Sequence, residues 1–490
     1  MNSEMTILAA LLIPFTATFL IFAAGRVNDN LRETVTLTAA GILALTVWSL
    51  LPELMDGGRP ELFAFSMMEG LDIKFRVEPL GMMFAALASG LWIINSIYSI
   101  GYMRGNKEKN QTRFYAFFAL SLSATMGIAF AGNLLTLFLF YEILTLSTYP
   151  LVAHKGDDAT IASARIYLGV LLTTSIALFL PAIIWTYQTA GTLDFVMGGI
   201  LAGKLDGPAV GLLLGLFVFG VGKAAVMPVH RWLPAAMVAP TPVSALLHAV
   251  AVVKAGVFTI TKIIVYIFGV EYLFEVPESG WLLYMASFTI IAASVVALRQ
   301  TNIKRLLAYS TIAQLSYVIM AAAILKPLAE IGAAIHMVAH AFGKITLFFA
   351  AGAIYVASKK TEINQLYGIG RRMPWTMTAF TIGALSMIGV PPTAGFVSKW
   401  YILAGAFQAE NFLAIATIIA STVLNAAYFL PIIFMIWFAE EPEHLKTNDH
   451  GEAPLASVIA LTITAALTIG FFAFNGPLIA LEQQVAAGIP

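Results

Sequence analysis

The chain has 490 residues, of which 59% are hydrophobic and only 11% charged, against ~25% charged in an average soluble domain; this is the composition of an integral membrane protein. Its 27 basic and 27 acidic residues balance, so no surface for nucleic acid is expected. The absence of cysteine excludes disulfides, iron–sulfur ligation and thiolate metal sites.

Apolar runs long enough to cross a ~30 Å hydrocarbon core recur along the whole length. The first, within MNSEMTILAALLIPFTATFLIFAAGR, has neither a basic leader nor a small-residue cleavage site, so it reads as a retained span. Fourteen spans are predicted: 5–24, 32–52, 77–102, 113–131, 132–153, 159–190, 208–232, 239–268, 280–298, 303–324, 328–356, 374–405, 412–438 and 453–482. The division between the fourth and fifth rests on Gly132-Asn133. No glycine-rich nucleotide loop opens a helix, so no cofactor is expected in this chain, and any redox or ATP chemistry belongs to another subunit.

Basic residues orient the spans. The odd-numbered loops hold Arg26, Arg32, Arg104, Lys107, Lys109, Arg113, Lys155, Arg165, Arg231, Arg299, Lys304, Arg305, Lys359, Lys360, Arg371, Arg372 and Lys446. The even-numbered loops hold only Arg59, Lys74, Arg76, Lys204 and Lys326. By the positive-inside rule the odd loops are cytoplasmic and both termini face outward.

Five lysines remain inside spans: Lys223, Lys254, Lys262, Lys344 and Lys399. A lysine at mid-membrane costs ~2.5–3.5 kcal/mol on insertion scales, which makes each a candidate functional group. Glu142, in the fifth span, is the one carboxylate read as deep in the membrane, and it needs a partner or a proton. Lys223 is the expected partner, either as a static ion pair between two helices or as a proton-handling pair. Pro228 follows Lys223 and cannot donate to the carbonyl of Ala224, so the seventh span should break one residue past the lysine. His230 lies just beyond that break.

Lys254 lies deep in the eighth span, with His248 six residues before it. Lys262 is expected to snorkel to the outer interface. In the eleventh span His336, His340 and Lys344 are spaced i, i+4, i+8, which makes one polar stripe. Imidazole both donates and accepts a proton, so the stripe reads as a relay. A metal site at His-x3-His lacks a third ligand, and no metal is expected. Lys399 follows Pro391 and Pro392, flanked by Gly389 and Gly395, so a second lysine stands beside a second break. Paired interrupted spans point to an internal repeat and a transport path. The interrupted spans are five apart, so the halves would be inverted.

These segments resemble the antiporter-like family shared by respiratory complex I, membrane-bound hydrogenases and Mrp-type multisubunit Na⁺/H⁺ antiporters. The resemblance covers about residues 75 to 440. Its most specific stretch is GKAAVMPVHRWLPAAMVAPTPVSALLHAVAVVKAG, at 222–256. YEILTLSTYPL, NIKRLLAYSTIAQLSYV, HMVAHAFGKITLFF and GVPPTAGFVSKW are also family-like. The resemblance implies an all-α polytopic fold of about 14 transmembrane helices, with two inverted five-helix repeats and broken seventh and twelfth helices. It divides the chain into a three-helix segment (1–112), a first repeat (113–270), a second, inverted repeat (271–440) and a C-terminal helix (441–490). It assigns proton transfer to Glu142, Lys223, Lys254, His336, His340 and Lys399. His230, His248, Lys344, Pro228, Pro391, Pro392 and Arg165 are supporting residues.

The chain departs from the family pattern in three places. WLPAAM stands where WLPDAH is common, Asn302 replaces the usual Asp before the basic pair, and Arg165 replaces lysine. Lysine at 399 resembles Mrp D-type subunits and some complex I subunits; TPVSALLHAVAVVKAG resembles the larger L- or A-type subunits, whereas length favours a D-, M- or N-like subunit, which leaves the subfamily open. The implied protein is a subunit of a hetero-oligomeric complex in the bacterial inner membrane, surrounded by lipid and by other membrane subunits. It moves protons and, in the antiporter reading, exchanges them for Na⁺. The alternatives are a proton-pumping subunit of a complex I-like NADH:quinone oxidoreductase or hydrogenase, a stand-alone solute permease, and a membrane subunit without flux.

Overall fold

The structure is a computed structural model that describes residues 2–68, 70–442 and 451–488, leaving aside the side chains at 247 and 248. Lys446, one of the orienting basic residues, lies outside the described residues. In a bilayer every backbone polar group must be satisfied within the protein, and a long apolar run does this as a helix. The chain accordingly begins with α1 (Ser3–Ala24) and α2 (Asp29–Trp48). A two-stranded antiparallel hairpin, β1 (Glu61–Met68) and β2 (Leu71–Arg76), follows with Glu61 opposite Arg76. Nothing in the hydropathy pattern predicts this hairpin. Then come α3 (Pro79–Gly105), α4 (Gln111–Ala129), α5 (Leu134–Val152), α6 (Asp158–Thr174), α7 (Gly207–Gly220) and α8 (Val252–Lys262). The second half holds α9 (Trp281–Leu298), α10 (Ile303–Ala323), α11 (Pro327–Ser358), α12 (Pro374–Ile388), α13 (Ala394–Gln408) and α14 (Phe412–Phe438). Last are α15 (Leu455–Ala473) and α16 (Gly476–Ala486).

Among the described residues, 10 helices are long and apolar enough to cross a membrane. They coincide with ten of the fourteen expected spans. The fourth span forms α4 but falls outside that set, and the seventh, eighth and twelfth are interrupted. The last expected span, 453–482, is also too long as read: the helix stops at Ala473, and Phe474 turns the chain into α16.

The split at Gly132-Asn133 is real and has a clear cause. Asn133 caps α5 by accepting from the Thr136 amide at 2.8 Å. Its own amide nitrogen donates to the Asp72 carbonyl at 2.7 Å, which ties the cap to the hairpin. Asn302 does similar double work. Its oxygen caps α10 through the Arg305 amide, while its nitrogen donates to Glu362 at 2.9 Å. The aspartate common at this position could only accept.

Helix α11 is the axis of the second half. In its most apolar stretch 94% of residues are buried, against 33% for α14 and α15. It packs against α10, α12, α13 and α15. A helix so enclosed meets protein rather than lipid on most of its surface, so its polar side chains face other side chains.

Candidate functional site

The first break precedes Lys223 rather than following it. Helix α7 ends at Gly220, and Lys223 sits in a 3₁₀ turn over Gly222–Ala224. The proline is therefore not what stops the helix, and the unwound stretch is closely packed. A Cβ at Gly220 would collide with the backbone of Phe179, and one at Gly256 of α8 would collide with the backbone of Lys223 and Ala224. These glycines let two helices press directly on the unwound backbone. The groups freed by the break find side chains: the Lys223 amide donates to Tyr141 Oη at 3.1 Å, and Trp232 Nε1 donates to the Gly222 carbonyl at 2.9 Å. Pro228 and His230 lie in the irregular connector beyond, with the His230 ring 6.3 Å from that of Tyr309.

The Lys223 side chain is wholly buried. Its Nζ donates to the Tyr141 carbonyl at 2.8 Å and to the Thr145 hydroxyl, and it lies 3.1 Å from the Tyr141 ring centroid. The expected ion pair with Glu142 is not made. Tyr141 and Thr145 share one face of α5, and Glu142 is ~100° around the helix from Tyr141. Both Glu142 carboxylate oxygens are buried without a hydrogen-bond partner among the described residues.

Three of the remaining predicted residues meet at the centre. Lys254 of α8 is fully buried, and its Nζ lies 2.6 Å from His340 Nδ1 on α11. The His340 and His336 rings lie nearly parallel, with centroids 6.3 Å apart. His336 Nδ1 lies 2.9 Å from the Ser398 hydroxyl, and its ring stacks on Tyr317 at 5.4 Å. Ser398 is the chain neighbour of Lys399. The predicted stripe is thus present, and each member faces a different neighbour. Lys344, a turn further on, donates to Ser310 of α10 at 2.9 Å.

The second break falls at Gly389, whose φ of +92° ends α12. Pro391 and Pro392 lie in the short link to α13. Gly395 lets α13 start hard against α12, where a Cβ would overlap the Ser386 carbonyl oxygen. Lys399 folds back from α13. Its Nζ donates to the Met387 carbonyl at 3.1 Å, the Ile388 carbonyl at 2.8 Å and the Thr422 hydroxyl at 3.3 Å. An ammonium at the C-terminal carbonyls of a helix is favoured by the helix dipole.

Two expectations about the outer end fail together. Lys262 does not snorkel: it is fully buried, and its Nζ pairs with Glu78 at 2.6 Å. It also donates to the Ala131 carbonyl at 2.9 Å and sits 3.9 Å from the Phe195 ring centroid. Glu142 is therefore not the only buried carboxylate. Glu78 opens α3 and is buried, as is Glu482 on α16. Arg165 is exposed on α6 and takes no part in the buried cluster. His248 lies in the turn before α8, and its side chain is outside the described residues. Among the described residues no group of three or more His, Cys, Asp or Glu is placed to hold a metal ion.

A family model described as NADH:quinone oxidoreductase/Mrp antiporter, transmembrane, matches residues 131–437. The chain belongs to this family. It is a multi-pass membrane protein with the antiporter-like fold. NADH-quinone oxidoreductase subunit N of Desulforudis audaxviator is 31% identical over 94% of this chain and 89% of that protein. The A/B component of a probable K(+)/H(+) antiporter of Rhizobium meliloti is 32% identical over 84% of this chain, which spans only 42% of that protein. Among solved structures, a chain of the archaeal membrane-bound sulfane sulfur reductase matches with a TM-score of 0.85 at 24% identity, covering 99% of this chain and 97% of that one. A chain of an Mrp complex from Dietzia sp. matches at 0.86 and 22%, with the same coverage. At these identities the likeness is one of fold.

Several residues of the cluster escape a reading of the sequence: Tyr141, Thr145, Ser310, Tyr317, Ser398, Asn425, Tyr428, and Glu78 as a partner. Asn425 and Tyr428 carry a usable signal. They stand i, i+3 on one face of a helix whose other polar residues are the hydroxyls Thr417, Ser421 and Thr422, FLAIATIIASTVLNAAYFLPIIFMIWF.

Proposed function

We propose that this chain is the proton-translocating subunit of a multisubunit membrane complex, of the kind that exchanges a monovalent cation such as Na⁺ for protons. The observation that carries this reading is the run of buried groups Lys254–His340–His336–Ser398, ending beside Lys399, with Lys223 at the first helix break. Apolar packing has no use for so many buried ionisable groups. A proton path does, because each can take up and pass on a proton.

In this reading a proton is taken up at Lys223, moves through Lys254, His340 and His336, and leaves from Lys399. Lys223 has two seats. One is the observed seat on the Tyr141 carbonyl and Thr145. The other is beside Glu142, whose carboxylate is free to receive it. An ammonium away from any anion in a dry site gives up its proton more readily than one beside a carboxylate. Movement between the seats would make Lys223 alternately a donor and a trap. One bridging water would close the gap between the two imidazoles. The driving force comes from other membrane subunits, the organisation is that of two inverted repeats (113–270 and 271–440) between 1–112 and 441–490, and the termini face outward from a bacterial inner membrane.

The test is Lys254→Ala in the whole complex, assayed as cation-driven proton movement in inverted membrane vesicles. Flux should fall to background with assembly unchanged; flux at the normal rate refutes the path. A second reading, a subunit of a redox-driven pump, is favoured by the oxidoreductase subunit N relative, which matches over 89% of its length. Mild extraction and mass spectrometry separate the two. Partners that are all membrane subunits support the antiporter, and hydrophilic iron–sulfur partners support the pump.

A further inference from the structure

Lys223 and Lys399, the lysines at the two breaks, share one kind of neighbour: each sits against a tyrosine ring. Lys223 Nζ lies 3.1 Å from the ring centroid of Tyr141, and Lys399 Nζ lies 5.3 Å from that of Tyr317. Both distances fall within the ~6 Å at which a cation is drawn to the negative face of a ring. Each tyrosine precedes its lysine by 82 residues (223 − 141 and 399 − 317). In the repeat organisation proposed above, the two pairs stand in matching places, with the tyrosine in the second span of its repeat and the lysine in the fourth. Glu142 follows Tyr141, whereas Val318 follows Tyr317. The second half thus keeps the ring and drops the carboxylate. Among the described residues no salt bridge reaches Lys399.

Tyr317 meets two members of the path at once. Besides facing Lys399, its ring stacks on that of His336, with centroids 5.4 Å apart and planes inclined by 28°. All three side chains are buried. The Tyr317 hydroxyl donates to the Ile418 carbonyl at 3.4 Å, a long bond to a group inside α14. The hydroxyl is therefore a weak anchor, and what the ring offers His336 and Lys399 is its face. A buried cation without an anion is costly, and the oxygens around Lys399 meet only its N–H groups. A ring face adds a fixed attraction that strengthens when water is excluded. A carboxylate in the same place would attract the charge more strongly and would hold the proton there. A ring supports the charge without trapping it.

We propose that Tyr317 is a positioning residue of the proton path: the face of its ring stabilises the positive charge when His336 carries the proton and again when Lys399 carries it. The tyrosine neither gives nor takes a proton. It lowers the cost of two successive charged states in a dry site, and so the barrier to reaching Lys399. Tyr141 is the same device under Lys223, with Glu142 beside it as a second anchor. The uptake end then has a ring and a carboxylate, and the discharge end has a ring alone.

The inference rests on the proposed proton path, and the test separates the two. Tyr317 is replaced by phenylalanine, by leucine and, through nonsense suppression, by phenylalanines carrying one, two and three ring fluorines. Fluorine drains the negative face of the ring and leaves its shape nearly unchanged. Cation-driven proton flux is measured in vesicles containing the whole complex, with assembly checked on native gels and Lys254→Ala run alongside. Tyr317→Phe keeps the face and should hold flux within about twofold of normal, because the hydroxyl's bond is weak. Tyr317→Leu should slow flux about tenfold, the loss of one desolvated cation–π contact. The fluorinated series should fall stepwise from the phenylalanine rate toward the leucine rate. A series that stays at the phenylalanine rate overturns the inference and leaves the ring as packing, and so does a Tyr317→Phe variant as slow as Tyr317→Leu. If Tyr317→Leu fails to assemble, the nearly isosteric fluorinated series decides alone. Normal flux in Lys254→Ala overturns the path itself, whatever the series shows.

Discussion

The Glu78–Lys262 pair offers the sharpest test of how the outer end is built. Both side chains are buried, Lys262 completely, and the ion pair is short at 2.6 Å. Removing one partner leaves an uncompensated charge in the protein, which typically costs ~3–5 kcal/mol. The two single variants should differ in character. Glu78→Gln leaves the ammonium with the Ala131 carbonyl at 2.9 Å and the Phe195 ring at 3.9 Å, so part of its solvation survives. Lys262→Met leaves a carboxylate whose other charged neighbours, Arg59 and Arg76, line the small cavity beside it. Arg59 and Arg76 can move toward Glu78, so Lys262→Met should cost about as much as Glu78→Gln, near ~3 kcal/mol, rather than the full range. The double variant Glu78→Gln/Lys262→Met leaves no buried charge and should cost no more than either single, which with two singles near ~3 kcal/mol is a coupling of ~3 kcal/mol or more. Equilibrium unfolding of the detergent-solubilised complex in rising SDS measures this. Single variants that cost under ~1 kcal/mol, or a double variant equal to the sum of the singles, would show that Lys262 reaches water after all and that the burial argument is wrong.

Three further predictions follow from particular contacts. Lys223→Ala should abolish transport with normal assembly, whereas Thr145→Val, which removes one of the lysine's acceptors, should change the rate by ~10-fold or more, read as proton flux at equal protein. Gly256→Ala should impair folding, since the new Cβ would press on the backbone at Lys223 and Ala224 and backbone cannot step aside; the yield of assembled complex against Gly215→Ala, where a Cβ would meet only ordinary contact, measures it. His154 lies buried in the loop after α5, where burial, reinforced by Arg113, holds its pKa down at about 4. The unfolded chain therefore binds the extra proton first, so this contribution is intact above about pH 6.5 and is lost as pH falls toward 4, amounting to about 3 kcal/mol. Unfolding followed between pH 7 and 4 should be less pH-dependent by that amount in His154→Phe.

The spans are legible in the sequence because a bilayer demands long apolar helices, and the ionisable stripe on α11 is legible because its spacing is local. What escapes the sequence depends on how helices are rotated and how closely they approach. Charge alone pairs Glu142 with Lys223, yet the lysine's seat is on the neighbouring face, ~100° away. Pro228 is the conspicuous helix breaker, but the first break comes before Lys223, at a point closely packed through Gly220 and Gly256, and the second of these lies in another helix. Lys262 looks interfacial because Glu78 is 184 positions away in sequence (262 − 78) and becomes its partner only on folding. Ser310 and Tyr428 look ordinary until α10 and α14 bring them together.

The two breaks hold their lysines by different devices, and the difference bears on direction. Lys223 comes after the end of its helix and reaches into a neighbouring helix, to a carbonyl and a hydroxyl of α5, with an unpaired carboxylate one residue away. It can leave that seat for a better-charged one without disturbing its own backbone. Lys399 instead reaches back to the last carbonyls of the preceding half-helix in its own span, which are preorganised to receive a cation. Leaving that seat would expose two carbonyls that have no other donor except Asn425 at Met387. A group with two seats suits uptake and release under control of an outside signal. A group with one seat suits the final position of a path. On the proposed path this difference suits proton uptake at the Lys223 end and discharge from Lys399, and reversing the driving gradient should run the same steps backward at a rate limited by filling Lys399.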